Sequence, residues 1–271
     1  MAAPPVRVFE LRGPGAAAAL DWLFVHADVQ GVLEGDGDGA LTVWLSGPLP
    51  VLPAALPTEL AVREVPVDPD AVALTGLEHD APILVLRDLL VRPPWVARPA
   101  GFRGVELVVP RGGAFGSGEH ASTQAALRCL HALWDAPASF GDAGTGSGIL
   151  ARYAQVRGCA RVAACDVDPA CVAAARELLP AAEVHLGGPE TLLACDGLVA
   201  NMTAAELSAA MPALLRCWTG RALLVLSGLR PHEVAAVAAL VPHPVARAET
   251  VAPFTALGYC AVGASRAGLV K

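Results

Sequence analysis

Along the first 65 residues the apolar positions change period several times, and each change predicts an element. Val6 to Arg12 reads as a short strand, and Ala16 to His26 as an amphipathic helix with Leu20, Trp22, Leu23 and Phe24 supplying the bulk. Val29 to Glu34 is a second strand. Gly35-Asp36-Gly37-Asp38-Gly39 is a turn signal, and Ala40 to Leu45 alternates as the hairpin partner. Pro53 and Pro57 keep any helix from Val51 to Pro57 short, and Leu60 to Val65 returns to strand. The order β-α-β-β-(α)-β is that of a small ferredoxin-like α+β domain over residues 1–67.

From Asp68 to Arg103 the pattern loosens. Pro93, Pro94 and Pro99 break any long element, Ile83 to Val91 is one apolar strand candidate, and residues 68–103 read as a linker. From Gly104 strands and helices alternate. Strands are expected at Val105–Val109, Ser139–Asp142, Arg161–Asp166, Glu183–Leu186, Gly197–Asn201, Ala222–Ser227, Val245–Val251 and Gly258–Val262. Helices are expected at Ser122–Trp134, Ser147–Val156, Pro169–Leu178, Ala204–Cys217 and Pro231–Leu240. Such alternation makes a mostly parallel sheet with helices on both faces, and the last two strands, with no helix between them, form an antiparallel hairpin at its edge.

Composition narrows the chemistry. The chain has 271 residues, 54% of them hydrophobic, and its mean hydropathy is +0.50. No apolar run of about 18 residues escapes interruption by charge, proline or glycine, so a soluble protein is expected, not a membrane-spanning one. The only lysine is Lys271, which leaves a Walker-type phosphate loop and Schiff-base chemistry without their residue. A net charge of -7 disfavours a nucleic-acid grip and suits a basic partner. Seven cysteines without CxxC spacing read as small core residues, so no metal is expected, and the Met1 to Arg7 start lacks a secretory signal, which points to the cytoplasm.

The candidate chemistry begins at Ser139 to Leu150, a strand entering the turn Gly144-Thr145-Gly146-Ser147-Gly148 and then a helix. Such a turn exposes backbone amides to a ligand, although a purely structural turn has the same look. Its third glycine comes one residue too early for a dinucleotide fingerprint. Asp166, at the end of the next strand, is placed to accept ribose hydroxyls, whereas Asp168 is expected to cap the helix at Pro169 and leave Asp166 free. Asn201 ends a further strand at the carboxyl edge of the sheet, as a ligand contact or as a turn former. Upstream, Arg111 to Thr123 carries four glycines before a helix, as a lid or as a surface loop, and His120 in it is a candidate proton acceptor or loop anchor.

Taken together, five segments resemble the PrmA family, S-adenosylmethionine-dependent methyltransferases that modify a protein of the large ribosomal subunit. They are Gly112–Thr123, Asp142–Ala151, Asp166–Pro169, Val199–Asn201 and Leu226–Leu229, in the family's order. The resemblance spans roughly residues 104 to 265 and implies a seven-stranded, mostly parallel class I methyltransferase sheet over residues 104–271. Residues 1–67 would then recognise the substrate. It also implies S-adenosylmethionine as cofactor, with contacts from Thr123, Gly144, Asp166 and Asn201, and Asn201 as the catalytic residue near the reacting methyl. Ser117 stands where the family has threonine, Glu119 is an unusual neighbour for His120, and Met202-Thr203 replace an aliphatic pair.

The implied reaction is methyl transfer to an N-terminal α-amine or a lysine of a ribosomal large-subunit protein, by a cytoplasmic monomer with no nucleic acid or membrane partner. Two other readings stand beside it: a class I methyltransferase acting on another protein lysine or a small molecule, and a non-catalytic methyltransferase-fold binding protein.

Overall fold

The computed structural model describes residues 6–27, 29–34, 40–56, 59–65, 81–111 and 116–260. The expected turn at 35–39, the 68–80 segment and the last two residues of the expected Gly258–Val262 strand lie outside them. The chain divides into two compact units, Met1–Asp80 and Ala81–Lys271.

In the first unit β1 (Val6–Arg12), α1 (Ala16–His26), β2 (Val29–Glu34), β3 (Leu41–Ser46) and β4 (Ala61–Val65) form an antiparallel sheet in the order β2-β3-β1-β4 with one helix. The ferredoxin-like order is as expected, but among the described residues 51–56 are irregular chain and turn, not helix. Strand alternation puts Phe9, Leu11, Leu41, Val43 and Leu45 on one face, where they bury against Ala16, Ala19 and Leu23 of α1. The two alanines let the helix approach closely. Phe24, expected to add apolar bulk, turns outward and is 57% exposed, because it lies off that stripe.

The second unit opens with β5 (Ile83–Leu86), β6 (Leu89–Arg92) and β7 (Val105–Val108). The sequence pattern predicts one strand and a linker here. The chain instead turns at Arg87-Asp88, β5 and β6 pair antiparallel, and β7 returns parallel to β6 in a separate three-stranded sheet. Val85, Leu89, Val91 and Leu107 are buried in the core of this unit, so the stretch from Ala81 to Arg103 is part of its packing.

The main sheet contains β8 (Ser139–Ala143), β9 (Arg161–Asp166), β10 (Glu183–Leu186), β11 (Gly197–Asn201), β12 (Leu224–Leu229), β13 (Arg247–Val251) and β14 (Phe254–Tyr259). Its order is β10-β9-β8-β11-β12-β14-β13, parallel through β12 and closed by the antiparallel hairpin β13–β14. That hairpin turns at Ala252-Pro253, so its second strand starts earlier than the expected Gly258.

One face of the sheet is covered by α2 (Ala121–Leu133), α3 (Ile149–Val156) and α4 (Pro169–Leu178), the other by α5 (Ala204–Cys217) and α6 (Val234–Ala238). α6 is shorter than the Pro231–Leu240 pattern. Alternating strand residues feed the two cores: Phe140, Val162, Val199 and Val225 one way, and Ala143, Cys165, Ala200 and Leu226 the other. None of the seven cysteines is in a disulfide; Cys129, Cys165, Cys195 and Cys217 are buried, and burial pushes the thiols of the first three up to about 12. Crossovers leave β8 toward β9 on one side and reach β11 on the other, so the strand order reverses between β8 and β11, and a crevice belongs at their carboxyl ends.

Candidate active site

At that crevice β8 runs into Gly144-Thr145-Gly146-Ser147-Gly148, with all three glycines at positive φ. The amides of Gly144 and Thr145 donate to the Cys165 carbonyl at 2.9 and 3.0 Å, and the Gly146 amide donates to Asp166 Oδ2 at 2.9 Å. The turn is therefore sewn to the end of β9. Asp168 caps α4 as expected, accepting the Ala170 amide at 2.8 Å. Asp166 is not free: besides Gly146, its Oδ1 accepts the Asp168 amide at 3.0 Å. Each oxygen keeps one lone pair for a ligand hydroxyl.

Two apolar side chains flank this carboxylate in the open. Val167 is 75% exposed, and Leu186, opposite Asp166 in the β9–β10 register, is 55% exposed. A rim that offers a carboxylate between uncovered aliphatic groups fits a nucleoside, whose diol and flat ring need those two surfaces. Asp142, next to the end of β8, lies beneath this rim and supports the turn from inside.

Asp142 is completely buried. Its Oδ2 accepts the Thr145 hydroxyl at 2.7 Å and the Ala151 amide at 3.0 Å, while Oδ1 has no partner among the described residues. Burial pushes this carboxyl up to about 7, against the pull of those two donors, and the charge of Asp166 adds to the rise. The folded protein thus holds the proton more tightly than the unfolded chain. The resulting stability is full below the ordinary value of 3.8 and is lost as pH rises through about 7. Asp142→Asn, which cannot titrate, is expected to flatten the decline in unfolding free energy between pH 5 and 8, measured by urea denaturation.

On the other side of the crevice, β11 ends at Asn201. Its Nδ2 donates to Thr123 Oγ1 at 3.4 Å, and Thr123, on α2, is only 1% exposed. The Ser227 hydroxyl donates to the Ser122 carbonyl at 2.8 Å, which bolts the start of α2 to β12. His120 caps α2 through Nδ1, which takes the Ser122 amide at 3.3 Å and the Ser122 hydroxyl at 2.7 Å. Burial moves its pKa down, so the ring is neutral at physiological pH.

Met202 joins the two halves. Its side chain lies over Gly144, where an added Cβ would stand 2.8 Å from Met202 Cε. Thr123, Asn201, Gly144 and Asp166 thereby fall along one continuous rim. Neither Met202 nor Asp142 was assigned a part from sequence. The available signals are the position of Asp142, two residues before the glycine turn, and the departure of Met202 from the family's aliphatic pair.

The departures from the family pattern have local partners. The Ser117 hydroxyl donates to Glu119 Oε2 at 2.8 Å, and Glu119 Oε1 pairs with Arg111 at 3.3 Å. The Ser147 hydroxyl donates to the Gly116 carbonyl at 2.6 Å, so this end of the glycine-rich loop is tied to the crevice, while 112–115 lie outside the described residues. Thr203 caps α5 in a reciprocal box: its hydroxyl accepts the Glu206 amide at 3.3 Å, and Glu206 accepts the Thr203 amide at 2.9 Å. Thr203→Ala is expected to cost about 1 kcal/mol in a denaturation experiment.

Comparison with known proteins agrees with this geometry. Residues 76–250 match the family model described as ribosomal protein L11 methyltransferase (PrmA). A ribosomal protein L11 methyltransferase of Thiobacillus denitrificans is 34% identical over 222 residues, covering 80% of this chain and 73% of that protein. One from Pelobacter propionicus is 36% identical over 161 residues, covering 55% and 52%. The crystal structure of a ribosomal protein L11 methylase from Lactobacillus delbrueckii subsp. bulgaricus superposes with a TM-score of 0.59 at 23% identity, over 65% of this chain and 96% of that one, and shows the same fold. Among the described residues no helix is long and apolar enough to cross a membrane. By the extent of the family match and the identity to these relatives, the chain belongs to the ribosomal protein L11 methyltransferase (PrmA) family of S-adenosylmethionine-dependent protein methyltransferases.

Proposed function

We propose that this chain methylates an amine nitrogen, an N-terminal α-amine or a lysine, of ribosomal protein L11. The cofactor supplies an electrophilic methyl on sulfur; the remaining requirements fall to the protein. Asp166 binds the ribose hydroxyls, and the Gly144 turn lets the ligand approach the backbone. Thr123, buried with its hydroxyl toward Asn201, supports the cofactor site through that residue. The observation that carries the reading is the state of Asn201. Its amide nitrogen is held by Thr123, and its Oδ1 accepts no hydrogen bond among the described residues. That oxygen and the Met202 carbonyl accept hydrogens from the incoming amine and aim its lone pair at the methyl.

The nucleophile must be neutral. Deprotonating a lysine at pH 7 costs about 4.6 kcal/mol and an α-amine about 1 kcal/mol, so the α-amine is the easier acceptor. The Met1–Asp80 unit holds the substrate protein, and the net charge of -7 suits free, basic L11 better than an RNA-covered particle. We read the enzyme as a cytoplasmic monomer. Incubation with methyl-labelled cofactor and a total ribosomal protein extract is expected to label L11. Label confined to intact ribosomes, or to other proteins, overturns the reading.

A further inference from the structure

Met202 is the first residue after β11, and its backbone is held on both sides. Its amide donates to the Ser227 carbonyl at 3.1 Å, and its carbonyl oxygen would stand 2.2 Å from a Cβ added at Gly228. Thr203 follows at once as the cap of α5. The side chain reaches across to the glycine turn. The three heavy atoms nearest to a Cβ added at Gly144 are Met202 Cε, Cγ and Sδ, at 2.8, 3.2 and 3.6 Å. The turn itself is equally fixed, because the Gly144 and Thr145 amides are committed to the Cys165 carbonyl and the Gly146 amide to Asp166.

A thioether therefore lies between two backbones that cannot easily move. It is half-buried, so solutes reach it, whereas Met211 is only 4% exposed. Cys165, whose carbonyl anchors the turn, is buried with its thiol pushed up to about 12 and stays protonated, which makes it a poor target for an oxidant. The aliphatic residue of the family pattern would fill the place of Met202 without this chemistry.

We propose that Met202 is an oxidation site, where a hydroperoxide converts the thioether to a sulfoxide and so closes the glycine turn to S-adenosylmethionine. This rests on the reading that the turn holds the cofactor. With hydrogen peroxide, a sulfur lone pair forms the S–O bond as the O–O bond breaks. The departing hydroxide takes the proton from the transferred oxygen and leaves as water, so sulfur loses two electrons and the peroxide gains them. The new oxygen is a strong hydrogen-bond acceptor. The three turn amides are already spent and cannot serve it, and Gly144 leaves no room on its own side. The oxygen must turn into the space that the ligand needs, or push the turn aside.

The test treats the full chain with hydrogen peroxide and then with dithiothreitol, which returns cysteine sulfenates and disulfides to thiols and leaves methionine sulfoxide in place. After both reagents are removed, peptide mass spectrometry is expected to find one added oxygen at Met202 ahead of Met211. Calorimetry is expected to find S-adenosylmethionine bound about ten- to hundredfold more weakly than before treatment, while thermal melts show the fold retained. Met202→Leu, whatever its starting affinity, is expected to bind the cofactor equally before and after. An unoxidised Met202, an unchanged affinity in the oxidised wild type, unfolding of the treated chain, or an equal loss in Met202→Leu overturns the proposal. Failure of the untreated protein to bind S-adenosylmethionine would instead sink the cofactor reading of the turn, and the proposal with it.

Discussion

Replacing Asn201 by alanine is expected to lower kcat by about 10²–10³-fold while the affinity for S-adenosylmethionine changes only slightly. The residue ends β11 beside the point where strand order reverses, with the glycine turn and Asp166 at the ends of β8 and β9 on one side and β12 on the other. Its Nδ2 is spent on Thr123, which fixes the direction of Oδ1. Loss of the side chain removes the group proposed to orient the amine and leaves the Thr123 hydroxyl, which is buried, without that partner. Thr123→Val, which removes only the support, is expected to cost less in rate. Single-turnover rates and calorimetric cofactor affinity separate chemistry from binding. Full turnover with unchanged cofactor affinity in Asn201→Ala would remove the residue from the mechanism.

The largest loss of stability is expected from Gly228→Ala, about 3–5 kcal/mol. Gly228 sits at φ +92°, and a Cβ there would be 2.2 Å from the Met202 carbonyl oxygen and 2.9 Å from its carbon. Both obstacles are backbone, and that backbone also carries Asn201, so relief of the clash must displace the site. Gly220 is the control: at φ +73° it has nothing within 4 Å of an added Cβ, and Gly220→Ala is expected to cost about 1 kcal/mol, the conformational strain alone. Urea denaturation of the two variants tests the comparison. Equal losses would mean that the approach of Gly228 to Met202 carries no weight.

The candidate site was partly legible. Gly144 and Asp166 were visible because a glycine turn after a strand and a carboxylate at the next strand end are local patterns. Asn201 falls at the rim because it ends a strand of the α/β pattern, where the carboxyl edge of the sheet lies. That it meets Thr123 was not visible, since the two are brought together by the packing of α2 across β11 and β12. The same limit explains β5 and β6. Proline density around Pro93 and Pro99 hid a hairpin whose stability comes from burying Val85, Leu89 and Val91 under α2 and α3, not from its own turn chemistry.

What the chain determined by itself was every feature written in short range: the ferredoxin-like order of the first unit, the parallel α/β alternation of the second, and the family to which its motifs point. Period, turn residues and caps act over a few residues, so they survive without knowledge of neighbours. Tertiary structure alone decided which polar atoms are satisfied and which rings meet. It set the unpaired oxygen of Asp142, the thioether of Met202 over Gly144 and the pairing of His120 with Phe254, because each depends on burial and on contacts between segments that only the folded sheet brings together.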